Sequence, residues 1–183
     1  TESETRRGKG KLVLGVRRGS DLIDVELQLK VMGKYSPTAP YDCPKTEKIV
    51  EDLERWIVAN GGGPGFLNYD AAFMLATGNP KLLGYVRRAV YKILDKQIPE
   101  GELDGRECGK SWHNSAEAYL LGEYYLATGD RNVLAHLQYA CDRLAATQNK
   151  HVGGWRHNHP GGSSYGMIPN AGLPVVMGMY FAD

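Results

Sequence analysis

Leu75-Ala76-Thr77-Gly78-Asn79 returns 51 residues later as Leu126-Ala127-Thr128-Gly129-Asp130, and each copy is followed at the same distance by a glutamine, Gln97 and Gln148. A repeat of this length means that the chain is built from stacked supersecondary units rather than one irregular core. Between each LATG and its glutamine the apolar residues fall at helical spacing, as Leu83, Val86, Val90 and Leu94 and again as Leu134, Leu137, Ala140 and Leu144. The segments before each copy, Tyr69 to Ala76 and Asn114 to Ala127, also read as helix. Each unit is thus expected to be helix, tight Thr-Gly turn, helix, with the glycine taking the left-handed conformation that ends the first helix. A third copy starts at Asn170-Ala171-Gly172-Leu173-Pro174 and runs through Met179 to Asp183. One hairpin cannot bury its own apolar face, so the chain reads as a piece of a larger array.

Composition excludes several classes. With 22 basic and 21 acidic residues the net charge is +1, which implies neither nucleic acid nor an anionic membrane as partner. The basic residues of the first 20 positions, Arg6, Arg7, Lys9, Lys11, Arg17 and Arg18, alternate with strand formers and read as a solvated face. Cys43, Cys108 and Cys141 have no paired spacing, hence no disulfide framework and no CxxC metal site. There is no apolar run long enough for a membrane span.

Ahead of the repeats, Lys11 to Val16 and Ile23 to Leu29 are strand-like and are joined by the turn signal Arg18-Gly19-Ser20-Asp21, which predicts a β-hairpin. Pro37, Pro40 and Pro44 mark a linker. A helix is expected from Lys45 to Ala59, with Thr46 or Asp42 at its N-cap and an apolar face of Ile49, Leu53, Trp56 and Ile57. It ends at Asn60-Gly61-Gly62-Gly63-Pro64, a glycine run that lacks the lysine-serine pair of a phosphate loop.

The hairpin sequence GKLVLGVRRG and DVELQLKVMGKYSPTAP resembles the C-terminal strands of a bacterial PDZ domain, and the remainder is similar to α/α-toroid proteins, the superfamily of six-hairpin glycosidases, polysaccharide lyases and terpene-cyclase-like folds. Together they resemble an uncharacterised bacterial family that joins a PDZ-like module to such a toroid. The resemblance implies a mainly α fold of helical-hairpin repeats from an incomplete toroid, preceded by a short β-hairpin. It divides the chain into a PDZ-like remnant over 1–35, a linker and first helix over 36–64, and toroid repeats over 65–183. It implies an extracytoplasmic location and, as partner, the rest of the toroid or another chain.

If the tight turns mark one end of the stack, the long connections, Ile98 to Trp112 and Asn149 to Pro169, emerge at the other and form a rim. Four of the five histidines lie on these loops or at their edges. Proton abstraction from a uronic acid needs a group that neutralises the carboxylate, a base and an acid. On the rim His113 or His157 suits the base, Tyr165 the acid, and Asn114, Asn158 and Arg156 the carboxylate, while Trp112 and Trp155 can stack on sugar rings. The plainer reading has His113-Asn114 capping a helix, Trp155 plugging a gap between units, and Tyr119, Tyr124, Tyr125 and Tyr139 filling interior or groove positions. A glycoside hydrolase would need two carboxylates from Asp70, Glu102, Asp104, Glu107 and Glu117; Glu117 shares a helical face with His113. His157-x-His159 with His113 or Cys108 is the one zinc-like grouping, and solvated loop is its default reading, so no metal or cofactor is expected. The leading expectation is a carbohydrate-active module, lyase-like, on an anionic polysaccharide. Its rival is a non-catalytic module that binds a glycan or protein.

Overall fold

The computed structural model describes residues 2–61, 69–103, 111–155 and 169–180. The chain divides into two compact units, Thr1–Trp56 and Ile57–Asp183, and among the described residues it is mainly helical with one short antiparallel hairpin.

In the first unit β1 (Lys11–Arg18) pairs with β2 (Asp21–Gln28), from Lys11 opposite Gln28 to Arg18 opposite Asp21. The two-residue loop places Gly19, with φ of 65°, at the first central position, where a II′ turn needs glycine. The register puts Leu12, Leu14, Val16, Ile23, Val25 and Leu27 on one face and an ion pair of 2.7 Å between Lys11 and Glu26 on the other. Helix α1 (Pro44–Asn60) starts one residue earlier than the sequence predicts, because Pro44 suits the first helical position. The cap position therefore falls to Cys43, whose carbonyl accepts from Glu47 N; Thr46 lies inside the helix and Asp42 precedes the cap. Of the expected apolar face only Ile57 is buried, and Ile49, Leu53 and Trp56 remain exposed. Lys45 is buried nonetheless, its ammonium 3.1 Å from Glu4 and 4.3 Å from the centre of the Tyr35 ring.

The second unit contains both LATG copies. Helix α2 (Tyr69–Ala76) is followed by α3 (Leu83–Leu94), and α4 (Ser111–Thr128) by α5 (Leu134–Thr147). The two turns use one device. Gly78 and Gly129 have φ of 67° and 69°. Thr77 Oγ1 donates to Met74 O and accepts from Asn79 N; Thr128 Oγ1 donates to Tyr124 O and accepts from Asp130 N. The last residue of each copy then caps a short 3-10 turn, Asn79 Oδ1 accepting from Lys81 N and Asp130 Oδ1 from Asn132 N, each at 3.1 Å. Asp130 also accepts from Tyr91 OH of α3 at 3.1 Å, which ties the first hairpin to the turn of the second. Asp130→Ala, which loses this tie together with its cap, is accordingly expected to cost about 2 kcal/mol, against about 1 for Asn79→Ala. Equal melting shifts for the two variants would remove the tie from the account.

Burial follows the predicted periodicity in part. Val86 and Val90 face inward from α3 together with Ile93, while Leu83 is exposed and Leu94 partly buried; Leu137, Ala140 and Leu144 face inward from α5 together with Cys141, while Leu134 is partly buried. Helix α4 is buried on more than one side, through Asn114, Ser115, Ala116, Ala118, Leu120, Leu121, Gly122 and Tyr124. It packs on α2, α5 and α6 (Pro169–Tyr180), with slighter contact to α3. Its small residues permit this, since backbones can approach closely where side chains stop at Cβ. Helix α6 forms where the third copy begins and seats Val175 and Gly178.

Candidate functional site

Of the expected rim residues, Trp112, His113 and Asn114 occupy the first turn of α4. Asn114 is fully buried, while Trp112 and His113 are half-buried, Trp112 against the hydrophobic core. Trp155 is also in that core. Its indole Nε1 donates to Leu144 O at 2.7 Å, and at 8% exposure it has no ring face to offer a sugar. The segment leading to it folds back on itself: Asn149 N donates to Gly154 O, Gly153 N to Asn149 O, and the repeat glutamine Gln148 to Gly153 O. Arg156, His157, Asn158 and Tyr165 lie outside the described residues, as do Asp104, Glu107, Cys108 and His159. Among the described residues no group of three or more His, Cys, Asp or Glu side chains is placed to hold a metal ion.

One turn beyond His113, Glu117 does not pair with that histidine as an orienting carboxylate. Its Oε1 accepts from Lys96 Nζ at 2.8 Å and its Oε2 from Arg143 Nη2. Burial alone would raise the carboxyl's pKa, but the hydrogen bonds from Lys96 and Arg143 outweigh it and hold the group below its ordinary value. An acid held ionised in this way cannot serve as the proton donor of a glycosidase, which needs a raised pKa. The clamp lies in a small cleft of about 170 Å³ lined by Lys96, Gln97, Pro99, Glu117, His136 and Arg143 among others. There a ring nitrogen of His136 is 2.9 Å from Lys96 O, and the Arg143 guanidinium lies 4.6 Å from the centre of the Tyr139 ring.

A larger cleft of about 710 Å³ opens over α3, bounded by Val58 and Gly61 after the buried Ile57, by Asp70, and by Lys81, Gly84, Tyr85, Arg88 and Lys92. Tyr85 OH donates to Asp70 Oδ2 at 2.6 Å. Burial and then the adjacent carboxylate push the phenol up to about 12, so it stays protonated and donating. Asp70 is thus engaged rather than available as one of a carboxylate pair. Three cations face this cleft against one carboxylate, and among the described residues none of Lys81, Arg88 and Lys92 forms an ion pair. The Arg88 guanidinium lies 6.0 Å from the centre of the Tyr85 ring. Lys81, Tyr85, Arg88 and Lys92 escaped the sequence reading, and so did Lys96, His136 and Arg143. Their signal was present as spacings of three and four residues along α3 and α5, a polar stripe beside the apolar one.

These features define a mainly helical protein with one short antiparallel strand pair, whose described clefts carry cations and ring side chains. The chain belongs to the family described as a domain of unknown function (DUF6288), whose model matches residues 46–183. No curated protein and no solved structure matches the chain. No helix among the described residues is long and apolar enough to cross a membrane.

Proposed function

We propose that the chain is a helical-repeat module of the α/α-toroid kind that binds an anionic glycan, with the cleft over α3 as its binding site. The observation that carries this reading is the set of three cations, Lys81, Arg88 and Lys92, around the Tyr85 phenol, none of which has an ion-pair partner among the described residues. Lysine and arginine compensate a uronate carboxylate, the guanidinium in bidentate fashion, and a phenol beside them suits the ring and hydroxyls of a sugar. The toroid part of the proposal draws on the packing of α4 between α2 and α6, each the first helix of its unit, with α3 and α5 as second helices. The PDZ-like origin of the β1–β2 hairpin is proposed on sequence alone.

Lyase chemistry is the second reading. It would belong at the start of α4, where half-buried His113 adjoins buried Asn114, with His157 or Tyr165 completing the acid and base. In the α3 cleft itself the titratable oxygens are a phenol held protonated and the carboxylate it donates to, a pair that suits binding better than proton abstraction.

Titration calorimetry with polygalacturonate and alginate tests the site. Arg88→Ala combined with Lys92→Ala is expected to weaken binding at least tenfold, the equivalent of about 1.4 kcal/mol. Unchanged affinity in that variant would overturn the assignment. In the same incubations a rise in ultraviolet absorbance that His113→Ala abolishes would move the activity to the lyase reading, since elimination leaves an unsaturated product.

A further inference from the structure

We propose that the two clefts are successive subsites of one groove that follows the repeat, so that the ligand is an extended carboxylated chain gripped once per hairpin unit. This rests on the glycan-binding reading above and adds to it the ligand's polymeric form and a second contact site.

The repeat offset of 51 residues carries Tyr85 onto His136, Arg88 onto Tyr139 and Lys92 onto Arg143. Tyr85, Arg88 and Lys92 line the larger cleft and His136, Tyr139 and Arg143 line the smaller one. Equivalent faces of equivalent helices therefore wall both clefts, the first with the Tyr85 ring beside Arg88 and Lys92, the second with the His136 and Tyr139 rings beside Arg143. The opposite walls also correspond. The larger cleft is closed by Val58 and Gly61, at the end of the helix that precedes the first hairpin, and the smaller one by Ile93 and the segment Lys96 to Pro99, at the end of α3. Each cleft thus lies between the end of one helix and the flank of the next equivalent one.

The path between them is cationic. Lys92 belongs to the first cleft and Lys96 to the second. Helix α3 ends at Leu94 and the chain leaves it in a tight turn, Asp95 N bonding Tyr91 O and Lys96 N bonding Ile93 O, so Lys96 follows Lys92 by about one turn. Lys96 is 63% exposed, and its ammonium retains donors beyond the one given to Glu117. Lys81, Arg88, Lys92 and Lys96 consequently form a row that leads from Tyr85 to the rings of His136 and Tyr139. A chain with one carboxylate per sugar matches such a row, whereas a single sugar acid engages only one cleft.

Calorimetry with oligogalacturonates of two and six sugars reads the difference. The hexamer is expected to bind at least tenfold more tightly per site than the dimer, and Tyr139→Ala is expected to reduce that ratio to about one. Carbethoxylation of the unaltered protein, with His136 followed by mass spectrometry, supplies a reading that needs no variant: the hexamer shields His136 and the dimer does not. Equal affinity for both lengths, with the Arg88 dependence intact and His136 unshielded, would overturn the groove and leave the single site standing. Failure of every oligouronate to bind would remove the glycan reading itself. Tighter binding of a six-nucleotide oligouridylate than of the hexamer would make the chain a nucleic acid and overturn the proposal as stated.

Discussion

Replacing Glu117 by alanine is expected to lower the unfolding free energy by about 3 kcal/mol, because it strands a cation that is largely withdrawn from water. Glu117 and Arg143 are 12% and 18% exposed, and the Arg143 Nε is already buried with no hydrogen-bond partner, so the carboxylate is the main compensation for that guanidinium. The Lys96 contact adds little, being solvated at the lysine end. If the cost comes from the stranded charge, removing both members relieves it. Glu117→Leu with Arg143→Met is expected to recover most of the loss, since well-packed apolar groups often replace a buried ion pair with little penalty. Urea unfolding of the two variants beside the unaltered protein measures both effects, and a loss below about 1 kcal/mol for Glu117→Ala would refute the clamp.

The same clamp fixes the sign of a pH dependence. The folded carboxyl titrates below its unfolded counterpart, so its contribution is complete above the unfolded value and is lost as pH falls through the folded one. The unaltered protein should therefore lose stability on acidification below the ordinary glutamate range more steeply than Glu117→Gln does. Parallel acid profiles would contradict that.

What the sequence revealed was local. The Thr-Gly turns and the hairpin loop at Gly19 are decided by which residues tolerate positive φ, and a few neighbouring side chains suffice to specify them. The helices followed from apolar spacing for the same reason, and α6 appeared where the third copy begins. The side-chain partners were not legible. Glu117 shares a helical face with His113, as its spacing requires, but its oxygens turn to Lys96 and Arg143, whose nearness depends on how α3, α4 and α5 stack. Trp155 illustrates the same limit. The sequence offered it both as a plug between units and as a sugar platform, and the fold-back of 149–155, which brings its indole to Leu144 O, could not be read from spacing. The stripes on α3 and α5 were readable as spacing, yet only packing shows that they wall clefts.

Two glycines of α6 provide the other large effect, with opposite signs from one helix. At Gly172 an added Cβ meets nothing within 4 Å, so Gly172→Ala should stabilise by about 1 kcal/mol through helix propensity alone. At Gly178 the same Cβ would lie 2.9 Å from Ala118 Cβ and 3.3 Å from Ser115 O. Ala118 and Ser115 are themselves fully buried in α4, and one contact is to backbone, so neither can swing aside. The propensity gain at Gly178 is therefore outweighed, and Gly178→Ala should destabilise by about 1 kcal/mol net. Gly178→Leu has to move the helix: it should cost about 3 kcal/mol and unseat Val175, which is fully buried in the same interface. Thermal and urea unfolding of the three variants decides the matter, because propensity alone predicts gains at both glycines. If Gly178→Ala stabilises as Gly172→Ala does, α6 is not seated on α4 through residue 178, and the packing of α4 against the first helix of the third copy fails with it.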